Sequence, residues 1–218
     1  KTIHTYANEQ GLTPVSGSKK SLVAKATLST DDPNVSPVFD VSRCNSIALG
    51  NIINNDATGE EKEVGNSQVR YITKPVELAD GNEAEDLKVF LTAYKPSSTE
   101  IKVFARIHNA EDSQTLDEKD WSLLTQLTAN TYSDSLDPEN FLEFEYGFAA
   151  NTDGQGFLTT ANSQARLNTS NNEVVTYRSS DGSIYATYKT FAIKIVMTSA
   201  GTNIVPIVRD MRSIALQK

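Results

Sequence analysis

Leu87-Lys88-Val89-Phe90-Leu91-Thr92-Ala93-Tyr94 sets Leu87, Val89, Leu91 and Ala93 on one side of an extended chain, and Lys88, Phe90, Thr92 and Tyr94 on the other. A strand turns its side chains over with a period of two, so this stretch reads as a strand with one face in a core. Ile101-Lys102-Val103-Phe104-Ala105-Arg106-Ile107-His108 repeats the pattern, with Ile101, Val103, Ala105 and Ile107 in the apolar row. Between the two lies Lys95-Pro96-Ser97-Ser98, a turn-forming sequence, which predicts that the strands form a hairpin.

The same period continues outward. Further strands are expected within residues 38–41, 46–53, 69–78, 141–148, 174–178, 184–198 and 204–216. In the penultimate one Phe191, Ile193, Ile195 and Met197 alternate with Ala192, Lys194, Val196 and Thr198. Asp80-Gly81, Asp153-Gly154, Asp181-Gly182 and Ala200-Gly201 punctuate the series. Pro206 suggests an edge position or a bulge. The best helical pattern is a turn or two around residues 117–121, with Leu123 and Leu124 behind it. The fold expected is mainly β, an antiparallel β-sandwich resembling a jelly roll, with less than ~15% helix against the usual one-third.

Residues 1–34 are small and polar, broken by Pro14 and Pro33, and hold one alternating apolar run, Leu22-Val23-Ala24-Lys25-Ala26-Thr27-Leu28. They read as an extended arm or linker, and residues 35–218 as the sandwich domain. The arm is expected either to order against a neighbour or to remain a loose terminus. Residues 54–68 and 150–172 read as long solvated loops. The chain starts at Lys1 rather than Met. It therefore reads as processed or as a piece of something longer.

The 218 residues carry 20 Lys and Arg against 28 Asp and Glu, a net charge of −8. That balance argues against unaided binding to nucleic acid. No apolar run is long enough to span a membrane as a helix. Cys44 is the single cysteine, and with only His4 and His108 as nitrogen ligands it makes a zinc site improbable. No metal or cofactor is expected. Neither a nucleophile elbow nor a phosphate-binding glycine loop occurs. Asn151-Thr152-Asp153-Gly154 lacks the spacing and closing Glu of a calcium loop and reads as a turn.

Three features remain open to a binding or catalytic reading. His108 reads as a surface histidine unless a carboxylate partners it as a base. Glu143 and Glu145 share one strand face about 6–7 Å apart, a spacing that suits either a glycosidase pair or an acidic face in water. Phe90, Tyr94 and Phe104 all lie opposite the aliphatic rows. They fit a sugar-binding platform, a second face covered by other segments, or a protein–protein interface. Trp121 reads as a core plug at the sheet edge. Arg209 and Arg212 are three residues apart and on a regular strand would face opposite sides. One would then be free to pair with an internal carboxylate and the other to reach a subunit, the alternative being two solvated charges.

Three stretches carry a resemblance. The first is Ser36-Pro37-Val38-Phe39-Asp40-Val41-Ser42-Arg43-Cys44, followed by Asn51-Ile52-Ile53-Asn54-Asn55. The second is Arg70-Tyr71-Ile72-Thr73-Lys74-Pro75-Val76-Glu77-Leu78-Ala79-Asp80-Gly81, then Ala84-Glu85-Asp86-Leu87-Lys88-Val89-Phe90-Leu91. The third is Phe191-Ala192-Ile193-Lys194-Ile195-Val196-Met197, with Val205-Pro206-Ile207-Val208-Arg209-Asp210-Met211-Arg212-Ser213-Ile214-Ala215-Leu216. Together, and with Asn109-Ala110-Glu111-Asp112 and Glu118-Lys119-Asp120-Trp121 between them, they resemble the C-terminal module of virion structural proteins of contractile-tailed bacteriophages. The resemblance implies a non-enzymatic component of the tail, baseplate or fibre apparatus, located in the virion. It also implies other virion proteins as partners in an oligomeric assembly built by extended arms and strand exchange. It brings no catalytic motif. The alternative reading is a carbohydrate-binding module of a phage adhesin, with a glycan as ligand; glycan hydrolysis is more distant.

Overall fold

The structure is a computed structural model. It describes residues 27–40, 53–54, 67, 69–129, 132–133, 137–150, 165–168, 174–201 and 204–217. Eleven strands occur among them: β1 (Arg70–Ile72), β2 (Val76–Glu77), β3 (Asp86–Tyr94), β4 (Thr99–His108), β5 (Ser122–Gln126), β6 (Leu142–Phe148), β7 (Arg166–Asn168), β8 (Val174–Arg178), β9 (Ile184–Tyr185), β10 (Thr190–Ser199) and β11 (Ile207–Leu216). A single 3₁₀ turn, Leu116–Glu118, is the only helical element among the described residues. The mainly-β, sandwich-like architecture expected from the period-two pattern is therefore present.

The strands form one large curled antiparallel sheet, in the order β1-β10-β4-β5-β6-β3-β11 with β2 also on β10, and a small sheet β7-β8-β9. β5 is the fold line. It pairs with β4 through Phe104 and Leu123, and with β6 through Leu124 and Phe148. β1, β10 and β4 thus form one layer, and β6, β3 and β11 the other. The layers face each other across Leu87, Val89 and Leu91 on one side and Ile101, Val103, Ile193 and Ile195 on the other, all at most 3% exposed. Phe144, Tyr146, Phe148 and Tyr188 fill the space between them, and Val175 and Tyr177 of β8 close one flank.

The predicted hairpin does not form. β3 pairs with β6 and β11, and β4 with β10 and β5, so the two strands oppose each other across the core. The turn between them is held from elsewhere. Lys95 N donates to Ser133 Oγ at 2.9 Å, and Lys95 O accepts from Ser133 N at 2.7 Å. Its main chain is thereby taken up by residue 133 instead of starting a ladder. The Lys95 side chain is buried with it, 2.6 Å from Glu100 and 3.1 Å from Gln126.

Other boundaries move for local reasons. The segment 69–78 divides into β1 and β2 around Pro75, whose nitrogen has no hydrogen for a ladder bond. The segment 184–198 divides into β9 and β10, because Tyr188 leaves the strand to enter the core and bond Asp86 O at 2.8 Å. Residues 38–40 are exposed and not in a strand, with Val38 92% exposed. Pro206 precedes β11, which is an edge strand and carries a register shift between Val208 and Asp210. The Asp-Gly turns are present at Gly81 and Gly182, with φ of 79° and 92°, a region other residues enter with strain. Residues 1–26, including His4 and most of the 22–28 run, lie outside the described residues. So do Cys44, residues 46–52, and most of the 54–68 and 150–172 loops.

Candidate functional site

The structure divides the candidate interface residues into a buried pair, Tyr94 and Phe104, and a set on one outer face, Phe90, Arg209 and Arg212. Phe104 is fully buried and Tyr94 is 4% exposed, so neither forms surface on this chain. The face opposite the aliphatic row of β4 and β10 is covered. Phe104, Ala192 and Val196 pack there with Trp121, Leu116 and Leu123. Lys194 lies within this cluster at 1% exposure, its ammonium 4.5 Å from the Phe104 ring centre and 5.0 Å from that of Trp121. The Arg106 guanidinium is 4.4 Å from the Trp121 ring. Aromatic faces attract cations strongly where water is excluded, which is how two charges are accommodated beside a second core. Trp121 is buried as its sequence context suggested, but it covers the outer face of the interior strands β4 and β10 instead of a sheet edge.

Phe90, Arg209 and Arg212 share the outer face of β6, β3 and β11. Arg212 stacks on Phe90 at 5.2 Å and pairs with Glu143, while Arg209 stacks on Phe141 at 5.4 Å. The two arginines do not face opposite sides. The bulge at residue 209 inserts one residue, so Arg209 joins Asp210 and Arg212 on the outer face while Met211 turns inward opposite Leu91. Glu145 pairs with Lys88 at 3.5 Å, so both members of the carboxylate pair are matched to cations. The Arg212 and Glu143 side chains are 56% and 53% exposed. Such pairs contribute little, so Arg212→Ala is expected to change the urea-unfolding stability by no more than ~1 kcal/mol. A larger loss would show that this pair is shielded from solvent.

A buried polar network joins the small sheet to the large one. Asp112 accepts hydrogen bonds from Ser179 Oγ at 2.7 Å, Tyr177 Oη at 2.9 Å and Gln114 N at 3.0 Å, and pairs with Lys119. Lys119 also donates to Gln114 Oε1 at 2.7 Å and Ser179 Oγ at 3.0 Å. Asn109 N donates to Tyr177 Oη at 2.8 Å. Burial pushes the Asp112 carboxyl up, but the bonds from Lys119, Ser179, Gln114 and Tyr177 outweigh it and hold it below the ordinary carboxylate value. Burial pushes the Tyr177 hydroxyl far up, and the Asp112 charge adds to that. Every group in the network is spent on another, so it clamps the 109–119 loop to β8. His108 belongs to the same region, with Nε2 2.7 Å from Gln114 O.

The surface feature that the sequence did not single out lies where the curl stays open. β1 pairs only with β10, and β11 only with β3, among the described strands. These two edges approach each other and line one groove of about 430 Å³, formed by Tyr71, Ile195 and Met197 on one side and Val208–Met211 on the other. Tyr71 and Ile72 on one edge are 56% and 47% exposed, and Ile207 and Ile214 on the other are 37% and 44%. Apolar side chains beside unpaired strand edges are a template for another chain. No group of His, Cys, Asp or Glu among the described residues has the arrangement of a metal site. The chain matches no family model, no curated protein and no solved structure.

Proposed function

We propose that the chain is a non-enzymatic structural component of a contractile-tailed bacteriophage particle, held in its tail, baseplate or fibre-attachment apparatus by protein–protein contacts. The observation that carries the building-block reading is that β1 and β11 each have one edge without a partner among the described strands, and that these edges meet at an apolar groove. A protein that acts alone normally blunts such edges with charges, prolines or a covering segment. The particle itself is suggested by the sequence resemblance of residues 36–55, 70–91 and 191–216. The test is direct. Purified virions of the phage that encodes the chain should contain it at fixed stoichiometry, and a density map should show its curled sheet in the tail or baseplate. Virions that assemble and infect without the chain would overturn the reading.

A further inference from the structure

Thr30-Asp31-Asp32-Pro33-Asn34-Val35 lies where the arm gives way to the sandwich domain, and its own residues hold it in shape. Val35 N donates to Asp32 O at 3.1 Å, which closes a β-turn with Pro33 at its second position, where a fixed φ belongs. Thr30 Oγ1 donates to the same carbonyl oxygen at 3.1 Å and accepts from Asp32 N at 3.1 Å. Asn34 N donates to Asp32 Oδ1 at 2.8 Å, which ties the carboxylate back to the chain. Residues 27–40 are exposed throughout, so water reaches the turn.

The carbonyl that receives two donors belongs to the Asp32-Pro33 peptide, and that bond carries its own nucleophile. A carboxylate oxygen of Asp32 closes a five-membered ring when it adds to the carbonyl carbon of the same residue. Fixed donors on the carbonyl oxygen stabilise the negative charge that such an addition creates. The Pro33 nitrogen has no hydrogen. It therefore cannot attack the Asp32 side chain to form an imide, the competing route open to other Asp-X bonds. It also leaves as a secondary amine, which takes a proton readily.

We propose that Asp32-Pro33 is a self-cleavage site, at which the chain parts into residues 1–32 and 33–218. The bond from the Asp32 carboxylate oxygen to the carbonyl carbon forms, and the bond from that carbon to the Pro33 nitrogen breaks. The nitrogen takes a proton from water. The hydroxide left behind opens the cyclic anhydride on Asp32 to a side-chain and a terminal carboxylate. One water is consumed, and nothing is oxidised or reduced. Each chain reacts once, so the step sits with a non-enzymatic building block and does not depend on which particle holds it. The cut separates the arm from the domain without touching the sheet, since β1 begins only at Arg70.

The purified full chain, kept in neutral and in mildly acid buffer and sampled over weeks, tests this by intact-mass spectrometry. Two pieces should accumulate, one ending at Asp32 and one starting at Pro33, with masses that sum to the chain plus one water. Pro33→Ala and Asp32→Ser should stay whole. Thr30→Val should slow the cut roughly tenfold, less than the ~10²–10³ that such a donor contributes where water is excluded, and Thr30→Ser should restore it. Asp137-Pro138 is the internal standard. It sits in a turn of the same kind, with Asn140 N donating to Asp137 O at 3.0 Å and Glu139 N to Asp137 Oδ1 at 3.0 Å. There, however, β6 follows at Leu142 and holds the turn to the sheet. In the native chain Asp32-Pro33 should break several-fold faster than Asp137-Pro138, and in urea the two should break at similar rates. A native chain that stays whole, equal rates at the two bonds before unfolding, or an unchanged rate in Thr30→Val would each overturn the proposal.

Discussion

Val89→Asp is expected to yield no soluble, cooperatively melting protein. Val89 is fully buried in the middle of β3, flanked by Tyr146 on β6 and Ser213 on β11. Its neighbours in the same row, Leu87 and Leu91, are equally buried, and the row faces Val103 and Ile193 across the core. Lys88 and Lys194 occupy the outer faces of their strands, and the buried Lys95 is already paired with Glu100 at 2.6 Å. An uncompensated charge in such a place costs several kcal/mol, against a total stability of about 5–15 kcal/mol for a whole domain. Leu91→Ala in the same row is the graded companion, with an expected loss of ~2–5 kcal/mol by urea unfolding. A Val89→Asp protein that is soluble and melts in the wild-type range would remove β3 from the centre of the core. It would also undo the two-layer description, because β3 carries the contact between β6 and β11.

What could be read from the sequence was which side of each strand is inside. The rows on β3, β4 and β10 are the ones the period-two pattern identified, because a strand with one buried face must alternate. Adjacency was not legible. The pattern of β3 and β4 is the same whether they lie side by side or face to face, and the choice is made by partners far along the chain, β6 and β11 for β3 and β5 and β10 for β4. β5 was missed because Leu123 and Leu124 are apolar on both faces: Leu124 enters the main core and Leu123 the second one. A fold line between two layers has no period to detect.

The candidate residues show the same limit. Phe104 was correctly placed opposite the aliphatic row, but the cover over that face comes from Leu116 and Trp121, beyond the end of the strand. Charge was the most misleading signal. Lys95, Lys194, Lys119 and Asp112 are all buried, each by partners that sequence spacing does not reveal. Asp112 and Ser179, for example, are 67 positions apart. The groove was invisible for a related reason. It arises from two distant edges, β1 and β11, being brought together by the curl of everything between them.

Asp112→Asn is expected to cost about as much as a large core truncation, and its cost should depend on pH. The carboxylate is fully buried and holds the Lys119 ammonium, the Ser179 and Tyr177 hydroxyls and the Gln114 amide at once. An amide of the same shape keeps a carbonyl oxygen but offers two hydrogens where donors already point, and leaves Lys119 without its counter-charge. Breaking one side of a buried pair costs ~3–5 kcal/mol. The carboxyl's folded pKa lies below the ordinary carboxylate value, so the folded state releases its proton more readily than the unfolded chain does. Stability from this group is therefore complete above the unfolded pKa of about 4 and is lost as pH falls through the lower, folded value. Urea unfolding of wild type and variant should show a gap that is constant from pH 7 to 5 and shrinks below about pH 4, as the wild type loses what the variant never had. The double change Asp112→Asn with Lys119→Met should recover part of the loss, since it removes the stranded cation. Hydrogen exchange supplies the structural readout. With the clamp broken, the amides of β8 should exchange faster while those of β3 and β4 keep their protection. A gap below ~1 kcal/mol at pH 7, or one that stays the same down to pH 3, would mean that Asp112 and Lys119 are held in place by the fold instead of holding the small sheet to it.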